Sequence, residues 1–353
     1  QCPSTAQASG AEARRTLSDR PRPIETGLDM KPDKNNVKSI LFITLSNLGD
    51  ILLTTPVLEK LCDEFPGASV DIITGSPGRD IFAAHPKVRE VKVHKKRSSL
   101  ADRLKNILEI RRKKYDMVVD LKNSLIPYLS GARFRTGIFD LSNRRRHKSK
   151  EHLAKLAGLG IEPFSRIRFF LPVLDEDRRF ADQVLSSGRK KKTVTLNPGA
   201  KSHLKRWDSG KFAALADRLV SELDCDVLVC GNEDDRETVR KVVSSVKSKV
   251  QDLCCRTTLG SLFEIMRRCD LVITNDSAPL HMASMANVAT VAIFGPSDEE
   301  RYGPLSEKSK VIKPLLSCRP CGKALCSIGP DEGCISRITV EEVFKAAKEL
   351  LGG

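Results

Sequence analysis

The chain has 353 residues, enough for two ordinary α/β domains, since a unit of about 150 residues already buries roughly two-thirds of its surface. Its net charge of +15 and pI near 9.4 call for a polyanionic partner, which could be nucleic acid, an anionic membrane surface or a phosphorylated substrate. Aromatic residues are only 5% of the total, with one Trp and three Tyr, and no basic stripe interleaves with stacking rings, which argues against nucleic acid.

Residues 1–36 are rich in Ala, Ser, Pro and charge without periodicity and read as a disordered extension. From Ser39 the run SILFITL has buried-strand length, and SNLGD and ILLTTPVLEKLCDEF follow it as turn and helix. One helical face then carries Leu58, Leu61, Cys62 and Phe65, with Pro56 at the start or at a kink. Gly49 permits close backbone approach in the turn. Asp50 places a carboxylate at the lip of the implied cleft, where it serves either as a base or as an N-cap. SVDIIT, EVKVH and YDMVVDL continue as strands separated by helix-like segments such as Leu100 to Lys113, giving a first α/β domain over 37–180. That domain holds the basic runs Lys95 to Arg97, Arg111 to Lys114 and Arg144 to Lys148, each a solvated face by itself and together an anionic-surface or phosphorylated-acceptor contact. His147 and His152 are weaker candidates for acceptor contact.

The pattern restarts over 181–353 with TVTLNPGAKSHLKRW, a strand and an Asn-Pro-Gly turn, after which Lys201, His203, Lys205 and Arg206 crowd beside Trp207. Such a turn is either a basic surface loop or a clamp for a diphosphate. Lys211 to Leu223 reads as a helix, CDVLVC as a strand, and GNEDD as a turn whose Glu233 stands where an acidic residue holds a ribose diol in nucleotide sites. Thr258 to Arg268 is another helix. It leads into DLVITNDSAPLHMASMANVATVAIFG, which reads as strand, polar turn, helix, strand: Asn275, Asp276 and Ser277 are good N-caps, and Pro279 suits a first helical turn. A helix starting at the carboxyl end of a parallel strand aims free N–H groups and its positive dipole end at an anion, here a diphosphate.

Cys62, Cys225, Cys230 and Cys269 lie in apolar patterns and read as buried free thiols of a reducing compartment. Cys318, Cys321, Cys326 and Cys334 form C-x2-C-x4-C-x7-C, the ligand count of a structural zinc or cluster. No His completes that spacing, so free or redox-labile thiols compete with a metal. Thr339 to Leu351 is a capped closing helix. No apolar run approaches the roughly 18 residues of a spanning helix and the N-terminus lacks a secretory layout, so a soluble, cytoplasmic protein is expected.

The ordered blocks ILFITLSNLGDILLTTPVLEKL, YDMVVDLKNSL, LNPGAKSHLKRW and DLVITNDSAPLHMASMANVATVAIFGPSDEERYGP resemble glycosyltransferase family 9, the ADP-heptose:lipopolysaccharide heptosyltransferases. The resemblance runs from about Ile40 to the last helix. It implies an α/β fold of GT-B type, with two Rossmann-like domains facing a cleft, the first for acceptor and the second for nucleotide sugar. It further implies inverting, metal-independent transfer from ADP-heptose, with no cofactor, to a phosphorylated, lipid-linked saccharide at the inner face of the cytoplasmic membrane. Carried over residue by residue, Asp50 matches the catalytic base, and Lys205 the cation for the leaving diphosphate. Asp276, Ser277, Ala278 and His281 match donor-binding positions, and Glu233 is a looser match for the ribose. Ala278 stands where the family commonly has Gly, which raises the question of a positive φ. A family member using another nucleotide sugar, and a polyanion-binding protein that has lost catalysis, are the alternative readings.

Overall fold

The computed structural model describes residues 31–94, 99–137, 146–164, 166–186, 192–323, 325–326, 329 and 333–352. The expected N-terminal extension lies outside these residues up to Met30, as do Lys95 to Arg97, Arg144 and Arg145. From Pro32 onward the chain forms one compact unit built on two parallel sheets.

The first sheet contains β1 (Ser39–Ile43), β2 (Ser69–Thr74), β3 (Val88–Val93), β4 (Met117–Asp120) and β5 (Phe134–Arg135), in the order β3-β2-β1-β4-β5. Its helices are α1 (Leu48–Leu52), α2 (Thr55–Glu64), α3 (Gly78–Phe82), α4 (Leu100–Lys113), α5 (Ile126–Leu129) and α6 (Lys148–Ala154). The second sheet contains β6 (Thr193–Asn197), β7 (Asp226–Val229), β8 (Gln251–Asp252), β9 (Leu271–Asn275), β10 (Thr290–Ile293) and β11 (Ser309–Ile312), in the order β11-β10-β9-β6-β7-β8. With it go α7 (Asp175–Leu185), α8 (Ser209–Leu223), α9 (Arg236–Ser245), α10 (Leu259–Arg268), α11 (Ala278–Ala286), α12 (Glu299–Tyr302) and α13 (Val340–Leu350).

Counted from its own first strand, the first sheet has the Rossmann order 3-2-1-4-5 and the second 3-2-1-4-5-6, and the strand order reverses between β1 and β4 in one sheet and between β6 and β9 in the other. Those two switch points are where open parallel sheets bind ligands. The central strands β6 and β9 are buried at every residue, which explains their apolar runs without alternation. One core cluster joins Phe42, Ile72 and Val119 of the first sheet to Leu262, Ile265 and Met282 around the second, while α8, α9 and α13 cover the opposite face of the second sheet. Helix α7 packs on α10 through Ala181 and Val184, with Asp177 accepting from the Thr258 hydroxyl and Asp182 from Arg268 at 2.7 Å.

The helix expected after Gly49 is two helices. Pro56 has no N–H to give to the Leu52 carbonyl, and the Thr55 hydroxyl takes that role at 2.9 Å, so α1 ends and α2 begins with Pro56 in its first turn. Gly49 and Asp50 therefore lie inside α1 and not in the preceding turn.

Candidate functional site

At the carboxyl edge of the second sheet, Asn275 is fully buried and holds two loop points. Its Nδ2 donates to the Pro198 carbonyl at 2.7 Å, and its Oδ1 accepts the Trp207 backbone N–H at 3.1 Å. The loop after β6 is thereby tied to the end of β9. Trp207, expected as a neighbour of the cations, is an anchor: it is 1% exposed, its Nε1 donates to the Ile338 carbonyl at 2.9 Å, and its ring meets Phe212 edge-on at 5.0 Å. The anchor positions Lys205, two residues earlier, whose Nζ lies 2.6 Å from Asp276 Oδ2 in an ion pair not aligned as a hydrogen bond. Asp276 is 4% exposed, so Lys205 supplies the positive charge that makes its burial tolerable.

Helix α11 starts two residues later. Ser277 is its extended N-cap and makes no side-chain capping bond, which leaves the dipole end open toward the site. Ala278 is the first helical residue and is not among the described residues with positive φ, so the alanine departure carries no backbone strain.

Facing this helix is α1. A Cβ placed on Gly49 would come 3.2 Å from His281 Cδ2 and 3.7 Å from Ala278 Cα, so the two helix starts meet as closely as a glycine permits. Asp50, half-buried in the first turn of α1, accepts from Asn47 Nδ2 at 3.0 Å, and Asn47 Oδ1 accepts from Lys201 Nζ at 2.9 Å. Lys201 thus reaches across to the first sheet instead of joining Lys205. Arg206 is turned away too, donating to the Ala200 carbonyl at 2.6 Å. His281 is buried between these groups. Burial pushes its pKa down to about 4 against the Asp276 and Asp50 carboxylates, with His147 and Lys205 adding to the depression, so the imidazole is neutral at pH 7.

The structure thus gathers Asp50, Lys205 and Asp276 about His281 at the start of α11, where Ser277 and Ala278 stand. Glu233 is not part of that group: it is 73% exposed beyond β7, on the same sheet edge, paired with Arg236 at 2.6 Å and accepting from Cys255 Sγ at 3.3 Å. The Arg236 guanidinium pulls its pKa to about 2, followed by the Cys255 contact. His147 and His152 are buried and offer no surface to an acceptor. His147 accepts from Ser149 N–H at 3.3 Å and donates from Nε2 to the Gly303 carbonyl at 3.1 Å. Among the described residues, Cys318, Cys321, Cys326 and Cys334 included, no three His, Cys, Asp or Glu side chains are gathered to hold a metal ion.

Asn47 and Tyr302 escaped the sequence reading, and Asn275 and His147 stood in it with other roles. Tyr302 is buried enough to raise its phenol pKa, with the Arg301 charge opposing and the Asp50, Glu151 and Asp276 carboxylates reinforcing the rise, so it lies within the field of both site acids. Asn275 stood in the NDS turn and was read as a cap. Asn47, three residues before Asp50, carried the local spacing for a side-chain contact.

A family model described as glycosyltransferase family 9 (heptosyltransferase) matches residues 167–331. A lipooligosaccharide heptosyltransferase 2 of Campylobacter jejuni is 28% identical over 88% of this chain and 98% of its own length. Among solved structures, a family 9 glycosyl transferase of Veillonella parvula is 27% identical with a TM-score of 0.75, covering 91% of this chain and 98% of its own. The E. coli ADP-heptose LPS heptosyltransferase II structure shares the fold at 23% identity and a TM-score of 0.70, over 89% and 98% of the two chains.

Proposed function

We propose that this family 9 glycosyltransferase moves a heptose from ADP-heptose to the phosphorylated inner core of lipopolysaccharide, inverting the anomeric centre without a metal ion. The observation that carries the reading is the approach of Gly49 to His281 and Ala278, which sets the carboxylate of Asp50 against the open start of α11 and the Lys205–Asp276 pair. In the step this suggests, an acceptor hydroxyl gives its proton to Asp50 while its oxygen attacks the anomeric carbon from the face opposite the diphosphate. The bond from that carbon to the diphosphate oxygen breaks, and ADP departs with its charge spread over Lys205 and the N–H groups at the start of α11. Asp276, already beside Lys205, is placed to accept from sugar hydroxyls. Neutral His281 fills the seam between α1 and α11 without adding a positive charge that would pair with Asp50. Glu233 would serve the ribose only after leaving Arg236. The acceptor belongs to a lipid, so we place the reaction at the cytoplasmic face of an anionic membrane. Among the described residues no helix is long and apolar enough to cross it.

The test is ADP release from ADP-heptose, with and without a heptose-deficient lipopolysaccharide acceptor, in EDTA, for wild type and Asp50→Ala. Acceptor-dependent release that survives EDTA and drops by about 10²-fold or more in the variant supports donor, metal independence and base together. A folded wild type that releases no ADP sinks the heptose assignment, and a panel of other nucleotide sugars then decides between another donor and a non-catalytic polyanion binder.

A further inference from the structure

Helix α4 is inverted relative to an ordinary surface helix. Of its 14 residues only Ile110 is buried, while Leu100, Leu104 and Leu108 are 77%, 63% and 55% exposed. Their i, i+4, i+8 spacing puts the three leucines on one outward stripe. At the helical period, exposed Arg111 and Arg112 fall on that same side, Lys105 and Glu109 lie together on its flank, and Asp102 falls on the side of Ile110. Helix α5 packs alongside and adds exposed Leu125, Tyr128 and Leu129, with the Arg135 guanidinium 5.1 Å from the Tyr128 ring centre. Both helices start at the carboxyl edge of the first sheet, α4 after β3 and α5 after β4, the edge from which α1 and Asp50 also arise.

We propose that α4 and α5 form a docking surface for an anionic phospholipid leaflet. Leucines at the centre of the patch enter the boundary between headgroups and acyl chains, and the flanking cations meet lipid phosphates. Charge decides against a second copy of the chain. A two-fold contact through this face would oppose Arg111 and Arg112 to themselves with no carboxylate on the outward stripe to offset them. Docking so would turn the Asp50 edge toward a lipid-anchored acceptor; that service alone rests on the proposed function.

The experiment is flotation of the full chain with vesicles of phosphatidylethanolamine and phosphatidylglycerol, against phosphatidylcholine vesicles, for wild type and Leu104→Glu/Leu108→Glu. Wild type is expected to float with the anionic vesicles at low salt and far less at about 0.5 M, where the Debye length falls to a few ångströms. The double variant should bind at least about tenfold more weakly while keeping its melting temperature, because both leucines are more than half exposed. Failure of wild type to bind, equal binding to neutral vesicles, or undiminished binding by the variant overturns the proposal. So does a wild-type dimer that the variant converts to monomer without any vesicle binding. Turnover of a short water-soluble acceptor should persist in the variant. Vesicle binding in a wild type that lacks turnover keeps the docking surface and discards the proposed reaction.

Discussion

Replacing Gly49 by Ala tests whether the two helix starts act as one site. The added methyl would sit 3.2 Å from His281 Cδ2 and 3.5 Å from Nε2, where carbon contacts are optimal at about 3.5–4.0 Å, so α1 and α11 must part by roughly 0.3–0.5 Å. His281 cannot simply swing away, because it is 6% exposed. Since a 1 Å misplacement costs about 100-fold, this displacement should lower kcat/KM about four- to tenfold. Stability should fall by no more than about 2–3 kcal/mol, since alanine gains up to about 1 kcal/mol over glycine in a helix and the crowding costs about 1–3 kcal/mol. The assay is ADP release at 25 °C with a melting curve on the same preparation. A Gly49→Ala protein that is folded and retains wild-type kcat/KM would refute the claim that turnover needs α1 and α11 in contact.

Lys201→Ala removes the donor to Asn47 and frees the side chain that orients Asp50; the contact is exposed, so kcat/KM should fall by up to about fivefold with the melting temperature unmoved, and an unchanged kcat/KM would show the contact idle. Trp207→Phe removes one of the two donors to the Ile338 carbonyl, Lys211 Nζ remaining at 2.9 Å, and opens space in the core, a loss of about 2–4 kcal/mol by urea unfolding, together with a raised donor KM as Lys205 loses its anchor; loss of stability alone would confine Trp207 to the core. Burial holds His152 at a pKa of about 4, with Nδ1 unpartnered, and a ring with depressed pKa binds fewer protons folded than unfolded. Its contribution is therefore intact above about pH 6.5 and lost as pH falls toward 4, reaching about 2 kcal/mol at pH 5. His152→Leu should flatten that acid limb in urea titrations at pH 7 and pH 5, and parallel limbs would reject the assignment.

The alternation of apolar runs with amphipathic segments made both sheets legible, since central strands such as LVITN and TVTLN are buried throughout and must be apolar. Helix α11 was legible for the same local reason: Ser277, Pro279 and the apolar turn after them specify a start. Contacts made at long range were not. Trp207 looked like part of a cationic clamp, and only its bond to Ile338, 131 positions away, shows it to be an anchor. Glu233 had the right place after a strand, yet Arg236 three residues on claims it in the absence of a nucleotide, a local competition that spacing alone does not rank. The outward turn of the α4 leucines was not legible either, because a 3.6-residue period reports an apolar face without saying whether that face meets the core.

The two switch points contribute different halves of one chemistry. At β6 and β9 the chain concentrates positive potential, from Lys205 and an uncapped helix start, around a buried carboxylate that keeps the lysine in place. The β1 switch point offers instead a half-buried carboxylate whose partners are Asn47 and, through it, Lys201. On the proposed reading Asp50 takes a proton from the acceptor, and Asn47 sets an amide instead of a second charge beside it, so substituting Asn47 by Asp should damage turnover more than substituting it by Ala. The aspartate would set a second negative charge beside Asp50 and draw Lys201 to itself, and measured kcat/KM values in the reverse order would show that Asn47 serves only the helix start.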